Sequence, residues 1–211
     1  MPSKFLWILL VLPFPLMAGW TGITAFVGQS ESDWLQASTL SQVNIDFYGL
    51  GIEEKTQGDL RVGARAGQFD LRLFDLFDAS AEKYNGQFVS LYLRWPINLM
   101  KRVNFHTQVN YQLNLGENTI GLENAEINWS KVSVNAALSL RLGLLSVRPF
   151  INIHSIDGDI SSATQTRIFK QNDNSSYGLM LDYFVERSAF VRLMVANGSN
   201  QAMLLSFVRE N

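Results

Sequence analysis

The chain has 211 residues with 17 Lys and Arg against 19 Asp and Glu, and its formal net charge of −2 provides no basic footprint for nucleic acid. It is 47% hydrophobic but only 17% charged, below the roughly 25% that soluble domains carry. The absence of cysteine excludes a disulfide framework, a thiolate metal site and a lipid anchor on an N-terminal Cys.

The first residues read as a targeting segment. Lys4 precedes an apolar run over residues 5–12, Pro13 and Pro15 interrupt any helix, and Ala18 offers a cleavage position. Residues 1–18 are therefore expected to be a signal peptide, and residues 19–211 one domain. The apolar run is too short to span a membrane as a helix, which takes about 20 residues, and no later run comes near that length. Membrane residence would have to come from strands.

A strand with one face in lipid and the other in a wet lumen alternates apolar and polar residues over about 9–11 positions. In chain order this alternation occupies residues 43–52, 60–73, 86–95, 103–114 and 131–142, then less sharply 147–156, 177–185, 189–196 and 201–208. It is cleanest at 103–114, where Val103, Phe105, Val109, Tyr111 and Leu113 oppose Asn104, His106, Gln108, Asn110, Gln112 and Asn114. Neither set is continuous at a helical period. The apolar parity switches near Phe47 and Tyr48, near Gly67 and near Ser130, and one inserted residue would do this, so β-bulges are predicted there.

Short links are predicted at residues 55–58, 98–101, 143–146 and 186–188, and longer ones at 30–35, 76–85, 116–123, 158–175 and 197–200. Tight turns at one end and extended loops at the other, in these numbers, give ten strands and return both termini to the turn end; eight strands is the alternative. Trp20, Trp95, Tyr183 and Phe207 fall at the turn end, and Tyr111, Trp129 and Tyr177 at the loop end, where interfacial girdles gather.

The targeting segment, the even hairpin period and the terminal strand at 201–208 together resemble small bacterial outer-membrane β-barrels of the OmpA/OmpX type. The resemblance implies an all-β, closed, antiparallel up-and-down transmembrane barrel with short periplasmic turns and longer extracellular loops. It further implies residence in the bacterial outer membrane after signal-peptide cleavage, contact with outer-membrane lipid and lipopolysaccharide, and folding by the barrel-assembly machinery. Members of that family end in an aromatic residue, whereas here Phe207 is followed by Val208, Arg209, Glu210 and Asn211.

If the apolar faces meet lipid, the opposite faces line the lumen. Arg61, Arg65, Arg94, Arg141, Arg148 and Arg192 then fall in its turn-end half with Asp182 at their level, and Asp46, Asp70 and Glu126 read as further interior acids. Unpaired guanidinium groups in a narrow lumen are costly, so Asp182, Glu53, Glu54, Glu186, water or a small bound anion should partner them. Two roles remain open: a structural or interaction barrel filled by a salt-bridged plug, or a narrow anion-preferring channel.

A rim-active lipid hydrolase or acyltransferase is the enzymatic alternative, with His154, Ser155 and Asp157 as its candidates and Asp159 beyond them. Adjacent strand residues point to opposite faces, so His154 and Ser155 could pair only across a bulge. Two histidines without cysteine favour no transition metal, and no cofactor is expected. A secreted soluble β-barrel binding an apolar ligand, with its apolar faces turned inward, is the third reading.

Overall fold

Side chains that alternate at every second position let a strand present one face to each of two environments, and eleven such strands make up the described residues. The computed structural model describes residues 21–36, 39–56, 58–75, 81–100, 102–118, 125–171 and 173–210. The expected signal peptide and Trp20 lie outside the described residues. The strands are β1 (Thr21–Gln36), β2 (Thr39–Lys55), β3 (Arg61–Asp75), β4 (Ala81–Met100), β5 (Val103–Asn118), β6 (Glu126–Leu142), β7 (Leu145–Ser161), β8 (Thr166–Gln171), β9 (Ser175–Phe184), β10 (Ala189–Gly198) and β11 (Asn200–Glu210). Every neighbouring pair is antiparallel, and the pairing of β1 with β11 closes the sheet into a barrel.

The strand number changes along the barrel. β8 and β9 run one after the other down the same edge of β7, β8 beside residues 157–161 and β9 beside residues 145–153. The β10–β11 hairpin is wedged between β9 and β1, so ten strands surround the end where β1 starts and β11 finishes. Beyond the hairpin tip, β8 pairs directly with β1 at Trp34 and Gln171, and only β1 to β8 remain. The links at residues 56–60, 101–102, 143–144 and 185–188 gather at the ten-strand end. Gly143 turns with φ 65°, a conformation that suits a residue without Cβ.

Several expected loops are strand. Residues 30–35 belong to β1, the long link at 158–175 is largely the β7–β8 hairpin, and Ser199 alone separates β10 from β11.

The predicted bulges are absent as well. The registers of β2 on β3, β3 on β4 and β5 on β6 run unbroken past Phe47, Tyr48, Gly67 and Ser130. What changes there is the environment. Along β3 the inward residues pass from Arg61 and Arg65 to Phe69, Leu71 and Leu73, while the outward ones pass from Val62, Ala64 and Ala66 to Gln68, Asp70 and Arg72. Both faces invert together, which in a one-dimensional string looks the same as a slip of one residue.

The eight-strand section is filled by apolar side chains, as the narrow bore of such a barrel allows. Trp34, with no exposed surface, stacks on Phe169 at 4.3 Å between ring centres, and Trp129 meets Trp34 edge-on at 5.5 Å and Phe69 at 4.8 Å. Trp129, expected at an interface, is therefore core. A Cβ on Gly158 would collide with the Phe169 ring, so that glycine lets the ring reach the stack. Around the ten-strand section the outer surface is instead a belt of exposed apolar groups, among them Leu93, Trp95, Val109, Val134, Ile153 and Leu205.

Candidate functional site

Below the aromatic core the barrel is wider than its own side chains fill, and a cavity of about 290 Å³ remains. Its two walls differ in chemistry. Alternate residues of β5, β6 and β7 line one wall with amides and hydroxyls, including Gln108, Asn110, Ser133, Asn135 and Asn152. Across the lumen, β9, β10, β11 and β1 present Met180, Met194, Leu204, Ala196, Ala202 and Phe26. Met194 is in register with both Met180 and Leu204, so these three form one continuous apolar row.

Towards the turn end the lining becomes ionic and falls into two nodes. In the first, Asp182 is wholly buried and accepts hydrogen bonds from Arg192 Nε at 2.6 Å, Arg192 Nη2 at 3.0 Å and Arg148 Nη2 at 2.9 Å. Arg192 is the direct cross-strand partner of Asp182, and Arg148 lies diagonal to it on β7, both within reach of a shared carboxylate. In the second, Glu53 accepts from Arg61 Nη1 at 3.0 Å and from Arg94 Nη2, while Glu210 lies 3.2 Å from Arg61 and 3.9 Å from Arg94. Arg61 and Arg94 are directly opposed in register, an arrangement that repels unless carboxylates sit between them, as these two do.

The remaining cations have different settings. Arg65 makes no ion pair among the described residues; its guanidinium lies 4.7 Å from the Tyr92 ring centre and 5.9 Å from that of Phe26. A Cβ on Gly63 would overlap Tyr92, so this glycine seats the ring on which Arg65 rests. Lys131 lines the cavity between Gln112 and Ile156 and likewise makes no ion pair among the described residues. Arg141 stands apart from the others: it is exposed at the barrel's turn end, 4.3 Å from the Phe184 ring centre, with Nε donating to Gly143 O at 3.4 Å.

Asp46, Asp70 and Glu126, expected inside, all point outward, because the polarity inversion and not a bulge sets their side; Asp46 meets Arg72 at 3.7 Å on the exterior. Glu186 is exposed and Glu54 takes the outward parity of β2. Sequence reasoning missed Glu210, just past the alternation at 201–208, and Lys131, the first residue of that at 131–142; both keep the inward parity of their strands. Among described inward groups below the core, Arg61, Arg65, Arg94, Lys131, Arg148 and Arg192 face Glu53, Asp182 and Glu210. Among the described residues these six cations outnumber the three acids.

The hydrolase candidates do not converge. His154 is buried inside with Nδ1 3.0 Å from Asn152 Nδ2, while Ser155 and Asp157 lie outside, Ser155 Oγ donating to Asp157 Oδ2 at 3.4 Å. The hydroxyl beside His154 is that of Ser199, 3.5 Å from Nε2, and it donates to Ser175 O at 2.6 Å. No group of three or more His, Cys, Asp and Glu among the described residues is placed to hold a metal ion.

No protein-family model matches the chain, and no curated protein matches it. Among solved structures it is similar to the translocator domain of the autotransporter NalP from Neisseria meningitidis, with a TM-score of 0.51 at 12% identity over 90% of this chain and 88% of that one. It is also similar to the β-domain of the Bordetella autotransporter BrkA, with a TM-score of 0.50 at 9% identity over 91% and 99%. The chain has the fold of an outer-membrane β-barrel. At such identities the likeness is one of architecture. The exposed apolar belt is the kind of surface that outer-membrane barrels turn to lipid, and it includes Trp95 and Tyr183.

Proposed function

We propose that the chain works in the bacterial outer membrane as a blind, cationic cup that binds a small anion, and not as a conduit. On this reading the tight turns and both described ends face the periplasm, the apolar belt meets lipid, lipopolysaccharide surrounds the eight-strand section, and the barrel-assembly machinery folds the terminal strand. The observation that carries it is the stack of Trp34, Phe169 and Trp129 across the narrow section. A narrow anion-preferring channel would need a path through those rings, which are packed with Phe69, Tyr84 and Ile127 into one buried cluster. The excess of guanidinium and ammonium groups below the seal supports an anion as the occupant.

The test is conductance. Folded protein, identified by heat-modifiable migration on a denaturing gel, should give no current above background in planar bilayers. A steady anion-selective current would overturn the blind reading and restore the channel.

A further inference from the structure

Several buried polar atoms around the cavity have no hydrogen-bond partner among the described residues: Nε of Arg65, Arg94 and Arg148, both ring nitrogens of His106, and Oδ1 of Asn110. Most of these are donors, and they belong to side chains already in excess of carboxylates. Buried donors left unmatched are costly, and an anionic group placed among them would satisfy several at once. The apolar row of Met180, Met194 and Leu204 begins directly above this region, because Met180 and Met194 each follow a member of the Asp182–Arg192 pair at the next inward position. Beyond that row Ala196 and Ala202, again in register with each other, leave room against the wall.

A free inorganic anion would answer the donors and leave this wall wet. A neutral apolar molecule would cover the wall and leave the donors unmatched. From the juxtaposition, and resting on the reading of the lumen as a blind cup, we infer that the site takes an anionic amphiphile: one carboxylate or phosphate head among Arg65, Arg148 and His106, and a short unbranched tail along Met180, Met194 and Leu204. The cavity of about 290 Å³ limits the ligand to a single short tail.

The full chain, folded in nanodiscs of zwitterionic lipid, is titrated calorimetrically with octanoate, octyl phosphate, acetate, inorganic phosphate and octanol, with empty nanodiscs as the blank. The two octyl anions should bind saturably at one site, and each buried methylene should tighten binding about fourfold. They should therefore exceed acetate and inorganic phosphate by more than about tenfold, with octanol giving no site. Arg65→Gln should weaken both octyl anions about tenfold, the worth of a charged hydrogen bond. Met194→Asn should erode their advantage over acetate and phosphate while leaving the latter two unchanged. Neither residue takes part in an ion pair among the described residues, and heat-modifiable migration verifies folding of each variant.

Equal binding of short and octyl anions would reduce the site to one for inorganic anions and overturn the amphiphile. Binding of octanol as tight as octanoate, or variants indistinguishable from the parent, would overturn it too. These outcomes are separate from the bilayer test: a conducting barrel defeats the cup whatever it binds, and a silent barrel that ignores octyl anions defeats the amphiphile alone.

Discussion

Asp182 and Arg192 face each other across β9 and β10, and the single carboxylate takes both Nε and Nη2 of that guanidinium while also holding Arg148. Deleting the acid leaves two guanidinium groups uncompensated in a position with no exposed carboxylate surface. Breaking a buried pair from one side costs about 3–5 kcal/mol. Asp182→Ala should therefore lower the urea midpoint of the lipid-embedded barrel markedly, whereas an exposed substitution such as Asp59→Ala should not. An Asp182→Ala barrel with the parent's midpoint would show that water or another group neutralises Arg148 and Arg192.

The second node gives a different signature, because its two arginines oppose each other directly and depend on acids between them. Glu53→Gln should destabilise the turn end, and adding Arg94→Gln should recover part of the loss by removing one of the repelling charges. In a double-mutant cycle the two changes should couple by about 0.5–3 kcal/mol. Strictly additive effects would mean that Glu210 alone keeps Arg61 and Arg94 apart.

How far the sequence exposed this arrangement depends on which environment each face met. Where the outer face is apolar and the inner face polar, as in the turn-end halves of β3, β5 and β6, strict alternation told the two faces apart, and the structure places Arg61, Arg65, Arg94, Arg148, Asp182 and Arg192 on inward faces. Arg141 has the same parity but is exposed at the rim beside Phe184 and Gly143, which alternation alone does not encode. Further along the strands both environments reverse. A string read for apolar parity then mistakes Phe69 and Leu71 for a shifted outer face, and it puts Asp46, Asp70 and Glu126 inside. The eight-strand section escaped notice for a related reason. It arises from the direct pairing of β8 with β1 over the hairpin tip, a contact between residues far apart in the chain that no local pattern carries.

The seal can be opened deliberately. Trp34 and Phe169 are stacked 4.3 Å apart and occupy the seam where β1 meets β8. Replacing both with Ala should cost roughly 3–5 kcal/mol per ring in stability. In barrels that still fold it should also produce a current, with anion preference set by the cationic lumen below. A folded, silent Trp34→Ala, Phe169→Ala barrel would mean that Trp129 and its neighbours suffice to block the bore, and that the stack is not the barrier.

The inversion of the two faces can be tested on one strand. Val134 and Asn128 both have the outward parity of β6, but Val134 is an exposed apolar side chain among Val132, Leu138 and Ile153, whereas Asn128 lies beyond the switch at Ser130, in register with Asp159. If lipid covers the first and water the second, an arginine at each should behave very differently. Val134→Arg should destabilise the barrel by about 2–4 kcal/mol, the cost of that residue near the bilayer midplane, while Asn128→Arg should cost at most about 1 kcal/mol. A bulge near Ser130 would instead have turned Asn128 inward and Ile127 and Trp129 outward, and an arginine at 128 would then be the more damaging of the two. Reversible unfolding in lipid vesicles distinguishes these orders directly. Equal costs at the two positions would mean that the apolar belt extends past Ser130, and with it the stretch of barrel wall that lipid covers.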